Sequence, residues 1–532
     1  MKKLILHIFF TILIFLPIGC NQKKDTKSSK LQEIQKLKIL LRDPVETLDP
    51  LQIMYGSDWK VANNIYEGLV EFTENNEIEF NLADTILISA DKLNYRISLK
   101  SNIYFHDNPC FKDGNGRRLN SEDIKYSFER LATQENNFSN WEIINNKILG
   151  ITEFYNRKID EIIGIKIIDS LSLNIQLVKP YSIFIKVLAS PNFYIVAKEA
   201  VEFYNEKFKY NPVGTGPFRI SEFTKYDNLL LVKNKNYHGK NKDGLRLPIL
   251  QSIEYNNIRE TENRFGEFLK NNTHIISINN SEFQKIINDT VLLKNYNVKK
   301  IDKGVGVRYW GFYFKEGKDS ESYKVLRKNI AKSFSENITQ TSDQFNLKAE
   351  TLVPLHFLDF KNPTLINNNK LSKNCVNSNF EVSILTNLEY RDLLILENTL
   401  SLLKVSYKRI TKPNNYYEEI KNIQPTLFRI NMMPAFPDPI EYYSLFYSKN
   451  IGKINLGNFS NEEFDKIFES IQYSNNQEEI QEYYTKLEKI LKDEVAALYL
   501  FYEGPSYYLL NKRVNNVKFN FIIPNYSETF LN

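Results

Sequence analysis

Residues 211–221 read NPVGTGPFRIS, with two prolines and two glycines placed around Thr215. A Walker-type phosphate loop needs a lysine directly after its last glycine and a helix behind it, because backbone N–H groups and the lysine must converge on the anion. Here Pro217 follows Gly216, and proline fixes φ and removes a backbone donor. The residues from Phe218 onward have an extended pattern. The stretch therefore predicts a bend that leads into a β-strand.

The N-terminal stretch MKKLILHIFFTILIFLPIGC has the layout of a bacterial export signal, with two lysines, an apolar run, and small Gly19 before Cys20. The apolar run is shorter than the roughly 20 residues that span a bilayer, and Pro17 interrupts it. The junction resembles the lipobox of bacterial lipoproteins, although Pro17 stands where that motif usually has leucine. The resemblance implies that residues 1–19 are a cleaved signal peptide and that Cys20 is lipidated. The alternative is ordinary secretion without a lipid.

Residues 20–36 are expected to form the lipidated cysteine and a flexible tether. Residues 21–36 contain almost no apolar side chains, so they cannot bury enough surface to offset their ordering entropy. No later stretch is long and apolar enough to cross a membrane. The remaining chain is long enough for roughly three or four domains. We expect a soluble, exported body that is held at the membrane by its N-terminus.

The composition narrows the classes of function. The 532-residue chain has a formal net charge of +5, and its lysines and glutamates are interspersed, which argues against a nucleic-acid partner. Its 32 tyrosines and 36 phenylalanines fit either a codon bias or a cleft lined with aromatic rings. The other two cysteines, Cys110 and Cys375, lack C-x-x-C spacing and fall in segments assigned to different domains. We therefore expect no disulfide, metal or cofactor.

Helical and strand-like patterns alternate along the chain. Apolar residues at helical spacing predict helices at 57–69, 120–131 and 477–492. Ser460 with Glu463 predicts a capping box in front of another helix. Alternating apolar residues predict strands at 94–100, 102–107, 171–177 and 497–502. This mixture favours an α/β architecture over a sandwich or a bundle.

Several segments resemble, in order along the chain, the sequence blocks of the family 5 solute-binding proteins, the oligopeptide and dipeptide receptors of ABC importers. The bend at 211–217 is similar to the family's P-V-G-T-G-P-Y/F segment. The other matching segments are ETLDPLQ (46–52), NNIYEGLVEF (63–72), LADTILISADKLNYRISLKSNIYFHDN (82–108), LNSEDIKYSFERL (119–131), VRYWGFYF (307–314), VLRKNIAKSF (325–334) and FPDPIEYY (436–443). The resemblance rests on their collinearity over nearly the whole chain after the tether.

The resemblance implies a type II periplasmic-binding-protein fold of the α/β class, with two lobes joined by hinge crossings and an additional domain. The implied division gives lobe I residues 37–72, 190–270 and 486–532, the additional domain residues 73–189, and lobe II residues 271–485. A ligand between the lobes would favour the closed state through contacts that it makes only in that state. Such a protein binds its ligand without changing it.

The resemblance also implies ligand-binding positions on both lobes. In lobe I, the residues at the family's cleft-lining positions are Met54, Tyr55 and Gly56. In lobe II, the family segment W-x-A-D-Y-x-D-P corresponds to residues 432–439. The candidate contacts there are Met432, Met433 and Ala435, and the two methionines suit either an adaptable apolar wall or the core.

The family aspartate that receives a peptide's α-ammonium is replaced here by Ala435. An unpaired ammonium in a buried site costs about 3 to 5 kcal/mol. Either another acid serves, with Asp58 a candidate, or the ligand has no free amino terminus. Arg429 could meet a ligand carboxylate with its forked guanidinium, or it could be an ordinary surface charge.

These observations lead to one expected function and two alternatives. We expect a monomeric substrate-binding lipoprotein of an ABC importer, exported to the periplasm or cell surface and anchored by its N-terminal lipid. It would deliver peptides or peptide-like solutes to permease subunits. The first alternative is a surface-anchored receptor of the same fold with a non-peptide ligand and no transport role. The second is a lipid-anchored hydrolase, but the sequence has neither G-x-S-x-G nor H-E-x-x-H, so we assign no catalytic residue.

Overall fold

The computed structural model describes residues 35–53, 56–134, 141–224, 228–257, 264–270, 273–278, 280–301, 305–315, 321–339, 348–358, 381–387, 391–412, 416–474, 476–503, 506–521 and 523–532. The predicted signal peptide, nearly all of the tether with Cys20, and Met54, Tyr55 and Cys375 lie outside these residues. Within them, no helix has the length and apolar character needed to cross a membrane.

A seven-stranded sheet builds the first lobe. Its strands lie in the order Tyr296–Ile301, Ser506–Asn511, Ile275–Ile278, Lys36–Leu41, Ser252–Asn257, Asn228–Lys233 and Phe218–Phe223. Strand Lys36–Leu41 pairs in parallel with both neighbours. Its residue Ile39 packs into one hydrophobic core, and the next residue, Leu40, packs into another. This strand is therefore buried on both faces, as expected for a strand in the middle of a parallel arrangement.

A five-stranded sheet builds the second lobe. Its strands lie in the order Ser406–Thr411, Glu381–Thr386, Leu427–Met432, Val307–Phe312 and Ala497–Tyr502. Strand Glu381–Thr386 is parallel to both neighbours, and Val307–Phe312 is antiparallel to both of its own. Helix residues Ile330 and Leu396 share a hydrophobic core with Trp310 of the sheet.

A four-stranded antiparallel sheet forms the additional domain. Its order is Ala83–Ile88, Asn94–Leu99, Ser172–Gln176 and Ile165–Asp169. The three small two-stranded sheets pair Val70–Phe72 with Ile78–Phe80, Val514–Asn515 with Phe530–Leu531, and Lys518–Asn520 with Ile523–Asn525. The first of these small sheets comes directly before strand Ala83–Ile88 in the chain.

The described α-helices are Gly56–Ala62, Ser121–Leu131, Ile151–Tyr155, Phe184–Leu188, Lys198–Tyr204, Arg264–Lys270, Asn280–Ile287, Thr290–Asn295, Glu321–Thr339, Arg391–Leu402, Tyr416–Ile423, Ile440–Tyr443, Glu462–Tyr473 and Gln477–Asp493. Short 3₁₀ helices occur at Trp141–Ile143, Pro191–Phe193, Asn205–Tyr210, Leu355–Phe357, Ser444–Phe446 and Ser448–Asn450. Helices and strands are mixed throughout, so the predicted α/β class is confirmed.

Several predicted elements are confirmed and others are corrected. Helix Ser121–Leu131 follows Asn120, which forms a capping box with Asp123. The capping box predicted at Ser460 is wrong, because Asn461 caps the helix that begins at Glu462. Two further predictions were too long. The helix predicted over 57–69 ends at Ala62, and the strand predicted at 102–107 is only an isolated bridge between Tyr104 and Arg118.

The strand pairing differs from the predicted domain boundaries in two places. Strands Ile275–Ile278 and Tyr296–Ile301, assigned to lobe II by the sequence, pair within the seven-stranded sheet. Strand Ala497–Tyr502, assigned to lobe I, pairs with Val307–Phe312 in the five-stranded sheet. We therefore place the crossings between the lobes after Ile301 and after Tyr502.

Candidate ligand-binding site

The predicted bend before strand Phe218–Phe223 is confirmed, and close backbone contacts explain its glycines. A Cβ on Gly214 would lie 2.1 Å from the carbonyl oxygen of Ile65, and a Cβ on Gly216 would lie 2.6 Å from the same atom. The amide of Gly216 donates to that carbonyl across 2.9 Å. The bend therefore braces the segment that follows helix Gly56–Ala62, and side chains from this segment line the site.

His106 also contacts the bend at residues 211–217. Its Nε2 lies 2.9 Å from the carbonyl oxygen of Gly216, and burial lowers the pKa of the imidazole to about 4. In the part of the chain that the structure describes, no group of three or more His, Cys, Asp or Glu side chains could hold a metal ion. His106 thus has a structural partner in the bend.

Glu67 ties the bend to the rest of the first lobe. Its carboxylate accepts hydrogen bonds from the Thr215 hydroxyl at 2.7 Å and the Tyr237 hydroxyl at 3.3 Å, and lies 3.0 Å from Nε2 of His238. Burial alone would raise the pKa of this carboxyl. The charge and hydrogen bond of His238, with the bond from Thr215, hold the pKa below its usual value. The Glu67 carboxylate is therefore held by three neighbouring side chains.

A cavity lies where this region meets the second lobe. Its tyrosines are Tyr66, Tyr194 and Tyr237, and its amide side chains are Asn63, Asn81, Asn520 and Asn525. Ala435 is the residue that the second lobe contributes to the lining. The enclosed volume is about 30 Å³, enough for about one or two water molecules. A larger ligand can enter only if the walls move apart.

The polar groups of the cavity are only partly satisfied. The Tyr194 hydroxyl donates to Oδ1 of Asn63 across 2.8 Å. The Tyr66 hydroxyl is buried and has no hydrogen-bond partner among the described residues. The rings of Tyr66 and Tyr194 stack with their centroids 6.1 Å apart. The cavity thus combines aromatic surface with hydrogen-bonding groups that a polar ligand could use.

Glu71 also lines this cavity. It is the middle residue of strand Val70–Phe72, and it is paired in register with Glu79. Its carboxylate accepts one hydrogen bond, from Nδ2 of Asn520 at 2.6 Å. Burial, followed by the charges of Glu67 and Glu79, raises the pKa of Glu71 to about 8. The surroundings of Glu71 therefore disfavour its ionised form, and among the described residues no cationic side chain forms an ion pair with it.

The residues predicted from sequence have different positions in the structure. Ala435 lines the cavity, and its N–H donates to Oε2 of Glu441 across 3.1 Å. Met432 is buried, whereas Met433 is 40% exposed, and neither lines the cavity. Gly56 begins the first helix and is exposed. Ala435 is therefore the one predicted residue, among those described, that the structure brings to this cavity.

Two charged candidates have partners within the fold. Arg429 is buried, and its Nε donates to Oδ2 of Asp392 across 2.8 Å. Asp58 is fully buried and accepts from the N–H of Glu46 at 2.8 Å, and burial raises its pKa to about 7. Neither residue lines the cavity. A ligand role for Arg429 remains a prediction in which the ligand carboxylate would share the guanidinium with Asp392.

Direct contacts hold the two sides of the cleft together. Lys186 lies in the segment assigned to the additional domain, on helix Phe184–Leu188, which contacts strand Val70–Phe72 of the first lobe, and it pairs with Asp438 of the second lobe across 2.8 Å. The N–H of Ser182 donates to the carbonyl of Gln472 at 3.1 Å, and Nζ of Lys147 donates to the Tyr473 hydroxyl at 3.3 Å. The structure therefore shows the cleft closed.

The chain segments at Gly306 and Glu503, next to the two crossings between the lobes, lie side by side. The N–H of Glu503 donates to the carbonyl of Gly306 across 2.8 Å, and Nη2 of Arg308 pairs with Oε1 of Glu503 at 3.1 Å. Two chain segments that pass side by side from one lobe to the other are the arrangement of a hinge. The fold and the cleft together define a two-lobed solute-binding protein.

Comparison with known proteins agrees with this class. Residues 77–333 match the family model described as "Bacterial extracellular solute-binding proteins, family 5 Middle". The glutathione-binding protein GsiB of Salmonella typhi is 26% identical over 218 residues, which cover 41% of this chain and 37% of that protein. The match thus spans well under two thirds of this relative.

Solved structures match over a larger part of the chain. The ABC transporter-associated periplasmic binding protein DppA from Helicobacter pylori, in complex with the peptide STSA, gives a TM-score of 0.77 at 18% identity and covers 94% of this chain and 99% of that chain. A dipeptide-binding protein from Pseudoalteromonas sp. SM9913, in complex with Met-Leu, gives 0.75 at 16% identity and covers 94% and 100%. These findings support a family 5 solute-binding protein, and the solved structures show the type II fold. The family and its structural neighbours are binding proteins.

Sequence reasoning missed most of the cavity. The sequence gives one indication of Glu71, because it lies between two apolar residues in the short segment LVEF, where a carboxylate is unusual unless it has a functional role. Asn520 and Asn525 carried none, since they reach the cavity only through tertiary contacts with residues more than four hundred positions earlier.

Proposed function

We propose that this protein captures peptides or peptide-like solutes in the cleft between its lobes and delivers them to the permease of an ABC importer. The observation that carries the proposal is the cavity between the lobes, with its tyrosines, amides and acids. Peptide main chains offer repeated N–H and C=O groups, and amide and hydroxyl side chains can pair with them. Aromatic rings supply apolar contact for the side chains of the peptide.

The ligands named for similar proteins support the same class of solute. Glutathione is the ligand in the name of one relative, and a tetrapeptide and a dipeptide are bound in the two solved structures described above. All three ligands share amide bonds and a charged amino group. We therefore take small peptides as the first compounds to test.

Opening and closing of the cleft would control capture. The closed cavity has room for about one or two water molecules, so a peptide must bind while the lobes are apart. The side-by-side segments at Gly306 and Glu503 would be the points at which the chain flexes. The bound peptide would then favour the closed state through contacts with both walls.

Anchoring and delivery complete the proposal. The export signal at residues 1–19 and the lipobox-like junction at Cys20 support a lipid-anchored protein at the periplasmic or outer surface of a membrane. The closed form, with Lys186 joined to Asp438, would present one continuous surface from both lobes. A permease could recognise that surface and distinguish the loaded protein from the empty one.

The direct test is to identify the molecule that the protein carries. The protein is expressed without residues 1–20, purified, and denatured, and the released compounds are identified by mass spectrometry. The proposal predicts small peptides or peptide-like molecules that raise the melting temperature of the stripped protein when they are added back. Repeated release of a sugar or a metal chelate, with no stabilisation by peptides, would reject the peptide proposal and favour a receptor for another solute.

A further inference from the structure

The acid Glu71 is left without a direct cationic partner by the fold. In the described residues no salt bridge involves Glu71, and its one hydrogen-bond donor is the neutral amide of Asn520. The lysines whose charges act on it, Lys100 and Lys518, are not within ion-pair distance. A carboxylate that lines a polar cavity and has no direct cationic partner is suited to bind a cation supplied by a ligand.

We infer that Glu71 binds the cationic group of the ligand, namely the ammonium at the amino terminus of a peptide. This inference rests on the proposed function and specifies which residue recognises the charged end. Ala435, the residue of the opposite wall, has no charge to offer. The recognition of the ammonium is therefore assigned to the first lobe.

The other acids near the cleft are less suited to this task. Glu67 is held by Thr215, Tyr237 and His238. Glu441 accepts from the N–H of Ala435, and neither it nor Asp58 lines the cavity. Among the described acids of the cavity wall, Glu71 is the one whose only direct partner is neutral.

The neighbours of Glu71 would assist the binding of an ammonium. The faces of the Tyr66 and Tyr194 rings attract cations, and both rings line the same cavity. The buried Tyr66 hydroxyl lacks a partner in the described chain and could accept one ammonium proton. The charge of Glu67 also favours a cation at this position.

The test compares a free and a blocked amino terminus. The probes are a pool of tetrapeptides and the same pool acetylated at the amino terminus, and the best-retained free peptide is then measured in both forms by calorimetry. The protein is the purified wild type and the variant Glu71→Gln, which keeps the shape and an acceptor oxygen. Glu79→Gln is the matched control, because Glu79 lies opposite Glu71 in the same small sheet but is exposed.

The inference predicts that Glu71→Gln weakens binding of the free peptide roughly ten- to a hundredfold. It predicts that the acetylated peptide, which the wild type binds more weakly, loses little further affinity in this variant. Glu79→Gln should leave both affinities unchanged within about threefold, as expected for an exposed charge.

Two contrary results separate the inference from the proposed function. In the first, the wild type binds free peptides, and Glu71→Gln either weakens binding of the free and acetylated peptides equally or weakens binding of neither. Glu71 then does not recognise the ammonium, but the peptide-binding function stands. If the wild type binds no member of either pool, the peptide proposal fails and the inference fails with it. Circular dichroism of each variant checks that the protein is folded.

Discussion

Lys186 reaches across the cleft and pairs with Asp438, with Nζ 2.8 Å from Oδ2. The other oxygen of Asp438 accepts from the Tyr484 hydroxyl at 2.9 Å and from the N–H of Ile440 at 3.1 Å. The aspartate is thus fixed in the second lobe, and the lysine is the movable partner. Since one residue comes from each side of the cleft, the pair exists only when the cleft is closed.

Replacing Lys186 should therefore destabilise the closed state. We expect Lys186→Ala to weaken peptide binding several-fold, because the ligand would have to supply the closure that the ion pair now supports. Calorimetry with the best-retained peptide measures this effect. Lys198→Ala is the control, since Lys198 pairs with Glu202 on its own helix in an exposed position and its Nζ also lies over the Tyr126 ring. Equal affinities for wild type and Lys186→Ala would show that the pair does not contribute to closure.

The bend before strand Phe218–Phe223 should tolerate no side chain at Gly214. The added Cβ of Gly214→Ala would lie 2.1 Å from the carbonyl oxygen of Ile65, so the backbone must shift. We expect a loss of at least about 2 kcal/mol in the free energy of unfolding. Urea denaturation measures this loss.

The control for this substitution is Gly56→Ala. Gly56 has no atom within 4 Å of an added Cβ, so the stability should change by less than about 1 kcal/mol. Equal stability of the Gly214 variant and the wild type would contradict the role of the bend as a brace. Gly56→Ala also tests the predicted ligand role of Gly56, through its effect on peptide affinity.

Glu71 should make the stability of the ligand-free protein depend on pH. Its pKa is about 8 in the folded protein, against an ordinary value of 4.5, so between these values the folded state holds a proton that the unfolded state has released. Stability therefore falls as pH rises from 4.5 to about 8 and then levels off. The charges that act on this carboxyl are those of Glu67, Glu79, Lys100 and Lys518.

Glu71→Gln should remove this contribution. Relative to wild type, the variant should become more stable as pH is raised from about 5 to about 9, and urea denaturation at both values measures the difference. Glu79→Gln removes only the smaller of the two charges that raise the Glu71 pKa and leaves its burial unchanged, so this variant should keep most of the fall in stability seen for the wild type. A constant difference between Glu71→Gln and wild type over this range would mean that the carboxyl has an ordinary pKa.

A carboxylate placed on the opposite wall should replace Glu71. Ala435→Asp adds an acid at the second-lobe side of the cavity, and we expect it to increase affinity for peptides with free amino termini. In the Glu71→Gln background it should restore the preference for free over acetylated peptides. Ala435→Asn is the control for size and polarity. If free and acetylated peptides respond identically to Ala435→Asp, the assignment of the cavity as the ligand site is wrong.

The elements with strong local signals could be predicted from the sequence. The cap at Asn120, the apolar spacing of helix Gln477–Asp493 and the alternation in Ala497–Tyr502 are each set by residues close together in the chain. The shift of the cap from Ser460 to Asn461 shows the limit of such signals, since two adjacent residues both suit an N-cap.

The lobe boundaries and the site depend on contacts that have no local signal. The crossings could not be placed from sequence. Ile275–Ile278 and Tyr296–Ile301 form strands, but a local sequence pattern does not show which of the two sheets a strand joins. Family resemblance pointed to Ala435, which lines the cavity. It could not locate Asn520, or show that Arg429 faces Asp392, because these are pairings between distant parts of the chain.

The central claim, that two lobes close over a peptide, is tested most directly by small-angle X-ray scattering on the stripped protein with and without the peptide that it releases on denaturation. We predict that the stripped protein is more extended, and that adding the peptide reduces its radius of gyration towards the value calculated from the closed structure. A radius of gyration that is the same in both samples would contradict the claim.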